Sequence, residues 1–228
     1  LGVGSWPHNF MKFNPETGER TIISEEIKAL QNTWLLVEGM CQNPVTKELW
    51  AICQDSLDLV SRIGTIDPES GELLDNTKLD YYYPAFAIDA KGQFWAIRCD
   101  LQPSTEQEGY FTVEGSYLTR LDPENGFAEI EPKEITLGSW DGSANPFKIW
   151  YNNTIAFDYS TGELYGLLSQ YNEWGYPSQY LYYIDTATGN LSHPMNKEDR
   201  TSGSYLYDMS WGLAIPSYFA EAPEAPAM

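Results

Sequence analysis

The side chains best suited to hold a ligand are aromatic and fall between strand-like runs: Tyr82, Trp140, Trp150, Tyr171, Trp174 and Tyr176. Arg98, Asp100 and Asn172 stand near them as polar companions. Flat rings stack on sugars or peptide planes, while carboxylate, amide and guanidinium groups hydrogen-bond what surrounds the stacked face. These residue types predict recognition of a carbohydrate or an extended peptide.

Signals for catalysis are thin. The two histidines, His8 and His193, fall in separate parts of the chain, and there is no GxSxG elbow, phosphate-cradling glycine loop or HExxH helix. Asp55, Asp58, Asp100, Glu106, Glu108, Asp141 and Glu173 could supply a carboxylate pair for glycoside cleavage. With 33 Asp and Glu in the chain such a grouping also arises by chance, so a glycan-active enzyme ranks second and no residue is assigned a catalytic role. No calcium-loop pattern and no Cys/His metal spacing occurs, so neither a metal nor a cofactor is expected. Cys41, Cys53 and Cys99 are expected to be free thiols, mostly buried, with Cys53 and Cys99 on opposite sheet faces.

A net charge of −20 weighs against nucleic acid and anionic lipid surfaces as partners, since both need clustered Lys and Arg. No apolar run approaches the roughly 20 residues of a membrane-spanning helix, so direct insertion is not expected. What remains is a glycan, peptide or protein ligand.

The elements that must position these side chains are written as a repeat. Asn14-Pro15-Glu16-Thr17-Gly18 returns as DPESG at 67–71, DPENG at 122–126 and DTATG at 185–189. Each lies between strand-like runs, and a second hairpin alternates with it at 39–52, 85–97 and 154–168. Asp or Asn opens such a turn by bonding its own backbone, and Gly closes it in the left-handed conformation. Two hairpins per period of roughly 50 to 60 residues make four strands per repeat, the content of one β-propeller blade.

Aligned columns carry the packing. Met40, Phe86, Ile155 and Leu213 fall in one first-strand column, with Cys41, Ala87, Ala156 and Ala214 beside them. Ala51, Ala96, Gly166 and Gly2 share a second-strand column, flanked by Trp50, Trp95 and Tyr165, which read as core between blades. The chain opens on a second strand (1–5) and closes on a first strand (211–216). The expected fold is therefore an all-β, four-bladed propeller closed by pairing these segments, or one of five or more blades if sequence precedes Leu1. Residues 1–219 form the domain, and the Ala- and Pro-rich 220–228 reads as a linker to a following module. In such a ring the long connections (79–84, 100–115, 137–153 and 170–179) share one face, where binding is expected.

The hairpin text built on Phe157, Asp158, Gly162, Leu164 and Tyr165, followed by the Ile66, Asp67, Pro68 and Gly71 type, resembles uncharacterised propeller-like repeat regions of bacterial secreted and surface-anchored proteins. The resemblance implies a chain in which a fibronectin-like module often follows. It carries no functional residue with it. An exported, surface-anchored protein is expected, acting as a non-catalytic binding module. A purely structural spacer is the third reading.

Overall fold

The computed structural model describes residues 2–3, 10–14, 16–24, 35–55, 60–103, 105, 111–149, 153–171 and 177–206. It is all-β and built from antiparallel sheets that follow one another along the chain. The first sheet holds β1 (Gly2–Val3), β2 (Phe10–Phe13) and β3 (Arg20–Ser24). The second holds β4 (Leu35–Gln42), β5 (Leu49–Asp55), β6 (Val60–Ile66) and β7 (Leu73–Lys78). The third holds β8 (Tyr82–Ile88), β9 (Phe94–Pro103), β10 (Phe111–Asp122) and β11 (Ala128–Glu134). A hairpin of β12 (Thr136–Gly138) and β13 (Ala144–Pro146) follows. The fourth sheet holds β14 (Thr154–Asp158), β15 (Glu163–Tyr171), β16 (Pro177–Ile184) and β17 (Leu191–Ser192), with β18 (Ser204–Leu206) also paired to β16.

The turns form for the reason their residues suggest. Side-chain oxygens of Asn14, Asp67, Asp122 and Asp185 accept the backbone N–H two residues on, at 2.9, 2.9, 3.1 and 2.9 Å. Gly18, Gly71, Gly126 and Gly189 close those turns at φ of 72°, 73°, 61° and 82°. In the alternating set, Lys47 takes φ 66° where the fourth sheet's equivalent turn has Gly162.

The register repeats from sheet to sheet. Met40 pairs with Ala51, Phe86 with Ala96 and Ile155 with Gly166, so a large residue always faces a small one across the first two strands. One step along, Cys41, Ala87 and Ala156 pair with Trp50, Trp95 and Tyr165. The second-strand column continues into the third strand as Ala51–Gly64, Ala96–Thr119, Gly166–Tyr182 and Gly2–Met11. Pairing of the first sheet with residues 211–216 lies outside the described residues.

Each sheet packs on the next along the chain. Phe10, Ala51, Cys53, Ile66 and Leu73 fill the seam between the first and second sheets. Ile52, Ile63, Phe86, Ile88, Phe94 and Phe127 fill the next. Ala85, Ile97, Cys99, Leu118, Ile155, Leu168 and Tyr182 fill the third, joined by Ile135, Phe147 and Ile149 from the segment between those sheets. The first strands β4 and β8, and β8 and β14, pack against each other. Trp50 meets Phe94 edge-on at 4.9 Å and Trp95 meets Phe157 at 6.1 Å, so both tryptophans reach into the following sheet. Cys53 and Cys99 are free and buried in different seams, and Cys41 is free and half-buried.

Outer strands carry a repeated irregularity. Register shifts across Gly64 in the β6–β7 pair and across Thr119 in the β10–β11 pair, the same column in two sheets. Asp75 and Glu131 on the outer strands sit there at φ 42° and 49°. The β2–β3 pair also shifts, between Phe10 and Met11.

The connections differ from their reading in the sequence. Strands β9 and β10 run on to Pro103 and from Phe111, and β15 and β16 run on to Tyr171 and from Pro177. Continuing the ladder satisfies backbone N–H and C=O groups that a loop would leave to water. The 137–153 connection is in part the β12–β13 hairpin and in part core. Backbone bonds tie it down: Gly138 N donates to Arg200 O at 2.7 Å and Phe147 N to Ile135 O at 2.8 Å.

Candidate functional site

Four of the nominated residues have described side chains, and they have three different situations. Trp150, Asn172, Trp174 and Tyr176 lie outside the described residues; Tyr171 is placed only as the end of β15, opposite Pro177. Of the acidic candidates, Asp58, Glu106, Glu108 and Glu173 also lie outside them.

Arg98, in the extended half of β9, is enclosed. Its Nη1 lies 2.6 Å from Glu129 Oε2 and its Nε 3.0 Å from Asp100 Oδ1. The guanidinium sits over the rings of Tyr117 and Tyr81, at 4.2 and 4.5 Å from their centroids. Only 12% of its side chain is exposed. Burial pulls its pKa down, but Glu129 and Asp100 more than offset that, and the pKa is raised. Tyr83, beside Glu129, is buried, and its hydroxyl is pushed well above the usual tyrosine range by burial first and by that carboxylate second. Asp100 and Glu129 thus converge, but on Arg98. Two carboxylates both bound to one arginine do not form the free acid–base pair that glycoside cleavage needs.

Tyr82 opens β8 opposite Cys99 and leans on the seam between the third and fourth sheets. Its hydroxyl donates to Glu38 Oε1 at 3.3 Å, linking the second and third sheets. Burial pushes the Glu38 carboxyl up to about 7, against a weaker opposing pull from the Tyr82 hydroxyl. Sequence reasoning passed over Glu38. Its signal was a lone charge inside the apolar run LLVEGM.

Trp140 is 94% exposed at the tip of the β12–β13 hairpin. The turn beneath it is locked: Ser139 N donates to Ser143 O at 2.9 Å and Gly142 N to Ser139 O at 2.9 Å. Asp141 accepts from the Ser143 N–H at 2.9 Å and from the Ser139 hydroxyl at 2.5 Å. The Ser139 and Ser143 hydroxyls hold the Asp141 carboxyl down at about 2. At its base, Thr136 Oγ1 meets Asn190 Oδ1 at 2.7 Å, beside β17. The hairpin therefore stands on the outer edge of the fourth sheet, whereas Tyr82, Arg98 and Asp100 lie on the first and second strands of the third.

A shallow, open recess of about 570 Å³ lies elsewhere, along Lys12, Phe13, Asn14, Glu16, Glu19 and Thr21 of the β2–β3 hairpin. Among the described residues no group of three or more His, Cys, Asp and Glu side chains could hold a metal ion, and no helix is long and apolar enough to cross a membrane. No known family model matches the chain, and no curated protein is significantly similar to it.

Proposed function

We propose that this chain is a four-bladed β-propeller acting as a non-catalytic, extracellular binding module for a carbohydrate or peptide. The propeller reading is supported by the second, third and fourth sheets, of four, four and five strands, which keep one repeated register and pack their first strands on one another. The first sheet begins with a strand that matches the second strands of the others, and Gly2 stands where Ala51, Ala96 and Gly166 stand. Closure of the proposed ring calls for pairing of β1 with the 211–216 segment, where the sequence repeat aligns Leu213 with Met40, Phe86 and Ile155 and so sets it against Gly2. Cysteines introduced together at Gly2 and Leu213 should cross-link on mild oxidation of the folded protein, read by mass spectrometry after digestion. Failure to cross-link, with the melting temperature unchanged, counts against closure of the ring.

The binding reading rests on Trp140. A large ring that is almost wholly solvent-exposed on a fixed turn gains nothing from folding, and exposed aromatics on rigid supports are typical contact points. Trp140→Ala should leave stability within about 0.5 kcal/mol of wild type, as expected of a surface substitution. It should weaken a ligand found on a glycan or peptide array by about 2 kcal/mol, roughly thirtyfold in Kd. A ligand whose affinity ignores Trp140→Ala moves the site elsewhere. The spacer reading draws support from Phe147, which packs on Tyr182 at 5.4 Å, and from the enclosed Arg98. Silence across both arrays favours it.

A further inference from the structure

Resting on the reading of this chain as a binding module, we propose that its partner is a polypeptide of net positive charge. The docking surface is the place on the outer edge of the fourth sheet where two insertions into the repeat meet, with Trp140 and Met195 as its anchors. The first insertion lies in a connection between sheets. In the second sheet Ser61, opposite Gln54, holds both ends of the connection that follows: its carbonyl accepts Leu79 N at 2.9 Å and its Oγ accepts Tyr83 N at 2.8 Å. Ser116 stands in the same column of the third sheet, opposite Cys99, and accepts Ile135 N at 2.8 Å and Ile149 N at 3.0 Å in the same way. Residues 80–82 suffice between the held positions after the second sheet. After the third, 136–148 fill that gap and form the hairpin that carries Trp140.

The second insertion lies in an outer strand. Opposite Gly64 and Thr119 the bulges hold the pairs 75–76 and 131–132. In the same column of the fourth sheet, opposite Tyr182, the outer strand leaves at Ser192 and returns at Ser204, so 193–203 stand in place of a bulge. This segment is braced: His193 N donates to Asp199 O at 2.8 Å, and Asp199 accepts from Thr201 N at 2.9 Å and from the Ser202 hydroxyl at 2.7 Å. Met195, 87% exposed, stands on it.

The two insertions touch. Gly138 N donates to Arg200 O at 2.7 Å, and a Cβ on Gly138 would lie 2.9 Å from that oxygen, so the joint leaves no room for a side chain. Among the described residues Trp140 and Met195 are the most exposed of the large apolar side chains, and each belongs to one insertion. The sister sheets do without either segment, and insertions in a repeat fold gather where partners bind.

Methionine decides between the ligand classes. A sugar face stacks on a ring; a thioether chain offers neither a ring nor a strong hydrogen bond, but moulds itself to apolar protein surface. Trp, Met and Arg are types that gather at protein interfaces, and the exposed Arg200 stands at the joint. Tips braced before contact reduce the ordering cost of binding. The net charge of −20 sets the sign of the partner: a second copy is repelled and a basic chain is drawn in.

Random peptides displayed on phage, selected on the folded domain, then synthesised and titrated by calorimetry, test this. Selected peptides should be rich in Lys and Arg. Their Kd should rise roughly thirtyfold in Trp140→Ala and about tenfold in Met195→Ala, both variants melting like wild type. Val45→Ala, which trims a side chain 61% exposed on a turn of the second sheet, should change nothing. Selected peptides that ignore Met195→Ala, or that are acidic or uncharged, overturn the proposal. So does a glycan-array ligand lost in Trp140→Ala but kept in Met195→Ala, an outcome that leaves the broader binding reading standing. Enrichment of no peptide overturns it as well, and silence on glycan arrays besides would take the binding reading with it.

Discussion

Arg98→Ala is expected to destabilise the domain by about 3–5 kcal/mol, the usual cost of leaving a buried charge without its partner. The stranded groups are Glu129, with 14% of its side chain exposed, and Asp100, at 32%. Two tyrosine rings also lose the cation they enclose, at about 0.5–1 kcal/mol or more each. Arg98→Lys should recover only a minority of the loss, because an ammonium cannot serve two carboxylates as a fork and lie flat between two rings. Neutralising Glu129 as well, in Arg98→Met/Glu129→Gln, should restore much of it, since the penalty lies chiefly in the orphaned carboxylate. Urea titration of the four proteins checks this. A cost below about 1 kcal/mol for Arg98→Ala would mean that solvent, not Arg98, already satisfies the carboxylates.

Gly189→Ala should be the most damaging of the turn-glycine substitutions, at about 3 kcal/mol or more. Left-handed backbone alone costs a residue with a Cβ about 1–2 kcal/mol. At Gly189 a Cβ would also lie 2.6 Å from the Glu134 backbone oxygen, an approach that only movement of β11 can relieve. The matching positions Gly18 and Gly126 have nothing within 4 Å, so their alanine variants should lose only the conformational part. Gly71 falls between, with Phe10 side-chain carbons at 3.0 Å. For a chain of this size each kcal/mol moves Tm by roughly 2–4 °C, so the ranking is readable in thermal melts. Equal shifts at all four positions would show that the backbone conformation, and not the contact with β11, sets the cost.

Much of the fold was legible because a hairpin has a side-chain period of two and a turn with strict residue demands. Aligning Asn14, Asp67, Asp122 and Asp185 puts Ala51, Ala96 and Gly166 in one column, and the observed pairing puts Met40, Phe86 and Ile155 opposite them. The site was less legible, since it depends on contacts that the repeat does not encode. Glu129 lies 31 positions from Arg98, Tyr81 sits in the bend before β8 and Tyr117 on β10, so an arginine that looked available is enclosed. Glu38 sits in a bulge, which breaks the alternation used to assign strand faces. At Trp140 the Asp141-Gly142 pair was a hairpin signal, but its flanking strands are only three residues each, too short to show a pattern.

The bulges at Asp75 and Glu131 have a consequence for how molecules of this protein meet. A flat outer strand is a template on which a neighbouring chain can add its own strand, the first step toward fibres. In the second and third sheets the outer strand instead turns through a left-handed residue partway along, so its free N–H and C=O groups no longer fall in one straight row. Replacing the charged residue at such a point would remove a repelling carboxylate and leave the extra residue of the bulge in place. Crowded molecules stay apart when their edges refuse one another, and these two strained residues hold that refusal in the backbone itself.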